Sequence, residues 1–107
     1  MSESPLLSDA QRQRLRHRFE TLRAQLGELD WLCQGSLIHA PPGAWRWTRK
    51  REGKTVTLAV SRAQTQLLRR AIAQQRQTEG LLAQMRALSE EYVLRSVPDV
   101  RRRRKRK

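Results

Sequence analysis

Residues 44–60 limit what this chain can fold into more than any other stretch. They read Ala-Trp-Arg-Trp-Thr-Arg-Lys, then Arg-Glu-Gly-Lys, then Thr-Val-Thr-Leu-Ala-Val. Two runs rich in aromatic and β-branched residues flank a short turn carrying Gly53, which predicts a β-hairpin. Side chains alternate between the faces of a strand. Trp45 and Trp47 therefore share one face of the first run, and Val56, Leu58 and Val60 share one face of the second. Together they make an apolar slab. The opposite face carries Arg46, Thr48, Lys50, Thr55 and Thr57. A lone hairpin is marginal in water, so the slab needs a cover.

Amphipathic helices on either side can supply it. Residues 1–7 read as a flexible leader. Ser8 or Asp9 is a fitting N-cap, because its oxygen can accept from an orphan backbone N–H. A helix follows to about Leu32. Leu15, Phe19, Leu22, Leu26 and Leu29 recur in steps of four and three, the seam spacing of a coiled coil or helical hairpin. Gly27 weakens the interior of this helix. Gln34 to His39 read as a short strand or turn, and Ala40-Pro41-Pro42-Gly43 as a connector.

After the hairpin, Ser61 caps a longer helix from about Arg62 to Ser96. Its apolar residues fall in two patches, Leu67, Leu68, Ala71 and Ile72, then Leu81, Leu82, Met85, Leu88 and Tyr92. A polar stretch from Gln74 to Glu79 separates them, and Gly80 ends it. Good helix formers on both sides predict a continuous or gently bent helix. Pro98 stops it. The expected fold is α+β: a single helix–hairpin–helix domain over 8–97, with the two helices antiparallel and the hairpin at one end, then a basic tail over 98–107.

The charge points to a partner. The 107 residues carry 23 Lys and Arg against 10 Asp and Glu, a net charge of +13. Such an excess implies a polyanion, most often nucleic acid. Seven of the cations are the tail Arg101, Arg102, Arg103, Arg104, Lys105, Arg106 and Lys107. Without it, 16 basic residues still face 10 acidic ones, so the body is basic too. Adjacent cations held against phosphates release condensed counterions, and affinity then falls steeply with salt. A solubilising or targeting tail has the same composition.

Two further groups of cations are candidates. Arg12, Arg16 and Arg23 share one face of the first helix, and Arg14 and Arg18 another. Helix arginines usually make an ordinary solvated face. Here arginine outnumbers acid, and its fork suits phosphate. Arg46, Arg49, Lys50, Arg51 and Lys54 surround the hairpin, with Trp45 and Trp47 interleaved. Exposed rings beside cations suit stacking of unpaired bases. The need for an apolar slab instead favours both tryptophans as core, with the cations gripping backbone phosphate.

The segment Gly35-Ser36-Leu37, the run Trp45-Arg46-Trp47-Thr48-Arg49 and the turn Gly53-Lys54-Thr55-Val56, followed by a Ser-capped Gln-rich helix, carry a resemblance. Over roughly residues 32–88 the chain resembles a family of small uncharacterised prokaryotic proteins often encoded near transposons. The resemblance implies a mobile-element accessory protein and supplies no reaction. Family members commonly carry a cysteine-rich loop, which looks like a metal knuckle, before the aromatic run. Here that place holds His39-Ala40-Pro41-Pro42-Gly43, with no cysteine.

Other function classes find little support. Cys33 is the single cysteine, so no intramolecular disulfide can form and a reducing cytosol is the simple setting. Cys33, His39 and His17 fall short of the four ligands of a structural zinc site, so neither metal nor cofactor is expected. Glu90 and Glu91 are adjacent and point to different helix faces. No catalytic triad or glycine-rich phosphate loop appears, so an enzyme is not expected. No run approaches a membrane span and no secretory signal is visible.

The expectation is a non-catalytic nucleic-acid-binding accessory protein of a mobile-element or other nucleoprotein complex. It would sit in the cytoplasm, or on the nucleoid if it binds DNA, with weak sequence specificity. The alternative is an adaptor. Its apolar seam of Leu15, Phe19, Leu22 and Leu26, with Leu81 and Met85, would dock on a larger transposase- or nuclease-like protein or on a second copy of the chain rather than pack within it.

Overall fold

The computed structural model describes residues 5–40 and 43–98. The first four residues, Pro41 and Pro42, and the tail cations 101–107 lie outside the described residues. The elements are α1 (Asp9–Gly27), β1 (Ser36–Ala40), β2 (Ala44–Arg51), β3 (Lys54–Val60) and α2 (Arg62–Ser96), an α+β chain. They form two compact units. One joins the chain up to Gly27 with the chain from Leu81 onward, and the other is Glu28–Gly80.

The Glu28–Gly80 unit is built on the hairpin. β1, β2 and β3 pair antiparallel in that order. Trp45 stands opposite Val60 and Trp47 opposite Leu58, so the two apolar sets share one face as the alternation predicts. Glu52 and Gly53 alone join β2 to β3, with φ of 52° and 80°. Positive φ at both positions of a two-residue turn matches the right-handed twist of the paired strands. β1 adds Leu37 opposite Trp47 and His39 opposite Trp45, on the apolar face. The first half of α2 stands beside that face, with the Arg69 guanidinium 4.8 Å from the Trp45 ring. Gly35 leads into β1 with φ of 105°, and a Cβ there would strike the Thr48 carbonyl. The chain can pass so close to β2 only because no side chain intervenes.

In the other unit, α1 runs antiparallel to the last turns of α2. The Leu7 N–H donates to the Arg95 carbonyl at 2.8 Å, and Arg95 Nε donates to the Pro5 carbonyl at 2.9 Å. Leu7, Leu15 and Leu88 form the buried cluster, with Phe19 and Leu22 packed against it.

Both helices begin with the same device. The Ser8 N–H donates to Gln11 Oε1 at 2.8 Å, and the Gln11 N–H donates back to Ser8 Oγ at 3.1 Å. Ser61 and Gln64 repeat the exchange at 2.9 and 3.1 Å. Each box satisfies two backbone donors that the first turn would otherwise leave free.

Two expectations are corrected. The first helix ends at Gly27, not near Leu32, and Leu29 leaves the seam. The backbone beyond is tied to α2 instead. The Asp30 N–H donates to Gln74 Oε1 and the Cys33 N–H to the Ala71 carbonyl. Those bonds, with the glycine, outweigh continuation of the helix. The two patches of the second helix are also bridged. α2 is continuous through Gly80, as expected; what changes is the polar gap, where Thr78 is buried on the stripe between Ala71 and Leu81. Its hydroxyl donates to the Gln74 carbonyl at 2.8 Å, so its burial leaves no unpaired donor.

Candidate nucleic-acid interface

The three-stranded sheet has α2 beside one side only, and its chemistry divides accordingly. The outward face carries Ser36 and Ile38 from β1, Arg46, Thr48 and Lys50 from β2, and Thr55 and Thr57 from β3. Arg46 and Lys50 are exposed on the central strand, about 13 Å apart along it at the usual rise per residue. Thr48 and Thr57 face each other across the strands with their hydroxyl oxygens 3.3 Å apart. Any half-covered antiparallel sheet turns polar residues outward. The distinctive point is sign. The strands carry Arg46, Arg49, Lys50, Arg51 and Lys54 and no Asp or Glu, and Glu52 lies in the turn between β2 and β3. Cations spaced among hydroxyls are the groups that contact phosphate and sugar oxygens.

Arg51 and Lys54 stand opposite each other at the ends of the turn, both exposed. Arg49 differs from its neighbours. It lies two residues from Trp47, hence on the covered face, and its guanidinium sits over the Trp47 ring at 4.1 Å. One of its terminal nitrogens is buried without a hydrogen-bond partner. Arg49 is therefore committed to the indole and does not join the outward array. Strand alternation alone would have separated it from Arg46 and Lys50.

The tryptophans expected as core or as stacking rings are half-buried and engaged. Trp47 donates through Nε1 to the Gln34 carbonyl at 2.8 Å. Trp45 stacks on His39 with centroids 4.6 Å apart, and the Arg69 guanidinium lies 4.8 Å from its ring. Cation–π contacts of this kind are worth about 0.5–1 kcal/mol at partly exposed sites. Neither ring is free of partners within the chain. Trp31, which helical periodicity assigns to the end of α1, is instead on a loop and 79% exposed. The stop at Gly27 was the sequence signal for it.

The arginines of α1 also divide. Arg12 pairs with Asp9 and donates to the Leu7 carbonyl at 3.1 Å, so it secures the entry to the helix. Arg16 and Arg23 both pair with Glu20, at 3.7 and 2.6 Å. Exposed pairs of this type contribute little stability, yet they lower the charge offered outward. Arg14 and Arg18 are exposed, share a face, and have no ion-pair partner among the described residues. The seam residues are largely spent inside the chain. Leu15 and Leu81 are buried, and Phe19, Leu22, Leu26 and Met85 are half-buried.

Among the described residues, no cluster of His, Cys, Asp and Glu could hold a metal ion, and no helix is long and apolar enough to cross a membrane. The chain matches no protein-family model, and neither the curated proteins nor the solved structures hold a significant likeness to it.

Proposed function

We propose that this protein binds nucleic acid without catalysis, gripping backbone phosphate through Arg and Lys. The observation that carries the reading is the outward sheet face, where Arg46 and Lys50 stand among threonine hydroxyls with no acid on any strand. Arg51 and Lys54 at the turn, Arg14 and Arg18 on α1, and the tail 101–107 would add phosphate contacts. Phosphate contacts carry no base code, so sequence specificity is weak. The role as a mobile-element accessory rests on the family resemblance alone.

A salt titration tests the proposal. The affinity of the full chain for a labelled oligonucleotide should fall steeply between about 50 and 200 mM salt. Replacing Arg46 and Lys50 together by Ala should weaken binding to all sequences alike and reduce the log–log salt slope by about 2. Affinity that ignores salt overturns the proposal. A double variant that binds as the parent does removes the sheet face from it.

The adaptor reading keeps a smaller surface than the seam predicts. Tyr92, Val93, Leu94 and Val97 leave apolar area exposed near the end of α2. Partner capture that survives both high salt and nuclease treatment would favour it.

A further inference from the structure

Trp31 is the most exposed large apolar side chain among the described residues. Its loop is not free at that point. The backbone is anchored to α2 on both sides of the ring, by the Asp30 N–H on Gln74 Oε1 at 2.5 Å and by the Cys33 N–H on the Ala71 carbonyl at 3.2 Å. The indole is thus held outward by structure. It forms one wall of an open groove of about 430 Å³ in the Glu28–Gly80 unit. Trp47, Leu58 and Val60 of the sheet and Leu67 and Leu68 of α2 supply the other apolar walls. Leu67 is 68% exposed and Leu58 49% exposed. Burial of apolar area so poorly covered is favourable once a ligand arrives.

The polar groups of the groove narrow the choice of ligand. Arg70 lies on the wall and has no ion-pair partner among the described residues. Gln64 and Gln74 line it too. Each accepts a backbone N–H through its carboxamide oxygen, from Ser61 and Asp30 respectively. That fixes the orientation of both amides and leaves their NH₂ groups as donors. Asp30 also lines the groove and could offer an acceptor. An apolar slot with a stacking ring, two amide donors and one cation matches a flat heterocycle with a polar edge and an adjoining phosphate. An aliphatic side chain would use only the apolar walls.

We infer that this groove takes an unpaired nucleobase of a single-stranded nucleic acid, stacked on Trp31, with a neighbouring phosphate on Arg70. The inference rests on the nucleic-acid reading above and deepens it, since a base inside a duplex is already stacked and cannot reach such a slot. The phosphate array binds either form, whereas the groove favours the single strand.

The test uses the full chain and two fluorescein-labelled probes, a short single strand and the same strand annealed to its complement. Removing one stacking ring should weaken single-strand binding about tenfold in Trp31→Ala, at low and high salt alike. Duplex binding should change by less than about twofold, because phosphate contacts are untouched. Trp31→Phe should recover most of the loss. As a second readout on the unmodified chain, adding the single strand should protect tryptophan fluorescence from iodide quenching, and adding the duplex should not. Unchanged single-strand affinity in Trp31→Ala, or no protection from iodide, overturns the groove assignment and leaves the groove to a protein side chain. Salt-dependent binding that persists in that case leaves the phosphate reading intact. Failure of the parent chain to bind either probe overturns both.

Discussion

At the scale of single residues, three positions show how neighbours decide the use of a side chain. Gly35, just before β1, passes close against β2. Its Cβ would collide with the Thr48 carbonyl and come within 2.9 Å of Trp47 Nε1, which also bonds the Gln34 carbonyl. Its φ of 105° adds backbone strain for any L side chain. Gly35→Ala should therefore cost roughly 2–4 kcal/mol, seen as a lower midpoint in urea unfolding followed by tryptophan fluorescence. A variant as stable as the parent would mean that β1 does not approach β2 this closely. Arg49 and Arg46 differ by three positions and have different fates, one laid on an indole and the other turned to solvent. Arg12 and Arg14 differ by two, and only Arg12 finds an acid and a carbonyl.

At the scale of elements, the hairpin is the most locally specified part of the chain. Aromatic and β-branched runs, a two-residue turn and strict alternation all agree, so its register is readable without tertiary information. One local choice is poor. Glu52 adopts φ of 52°, a region where Asn is far better tolerated. Glu52→Asn should stabilise the chain by about 0.5–1 kcal/mol and, by removing the acid nearest the cationic strands, should not weaken oligonucleotide binding. Thermal unfolding and a binding titration on the same variant check both parts. The helix starts were also legible, since a serine ahead of an apolar period has few other uses. The end of α1 was not. Leu29 continues the seam spacing past the true end, and periodicity has no means of weighing that against two hydrogen bonds to α2 made from Asp30 and Cys33.

At the scale of the whole molecule, charge is the dominant quantity. Truncation after Val100 removes seven cations and lowers the net charge from +13 to +6. The shortened chain should still bind an oligonucleotide in a salt-dependent way, with the slope reduced by about 0.7–0.9 for each tail cation that met a phosphate. Loss of all binding would assign the function to the tail and leave the sheet face as a solvated surface. Retention of the full slope would leave the tail without a part in binding. The charge of the described part is sorted as well as large. On α1 three of five arginines are matched by acids, while the outward face of the sheet has none to match its cations.

From the sequence by itself came the α+β class, the hairpin and its apolar face, both helix caps, the stop before Pro98 and the excess of positive charge. All of these depend on residues close together in the chain, where periodicity, turn geometry and composition act directly. Tertiary structure alone decided which side chains are free to act. Contacts across the chain tied the Trp47 indole to the Gln34 carbonyl, set Arg69 beside the Trp45 ring, closed the seam around Leu15, and pinned the loop that holds Trp31 outward. Those outcomes follow from competition among distant groups for burial and hydrogen bonds, a contest that no local pattern records.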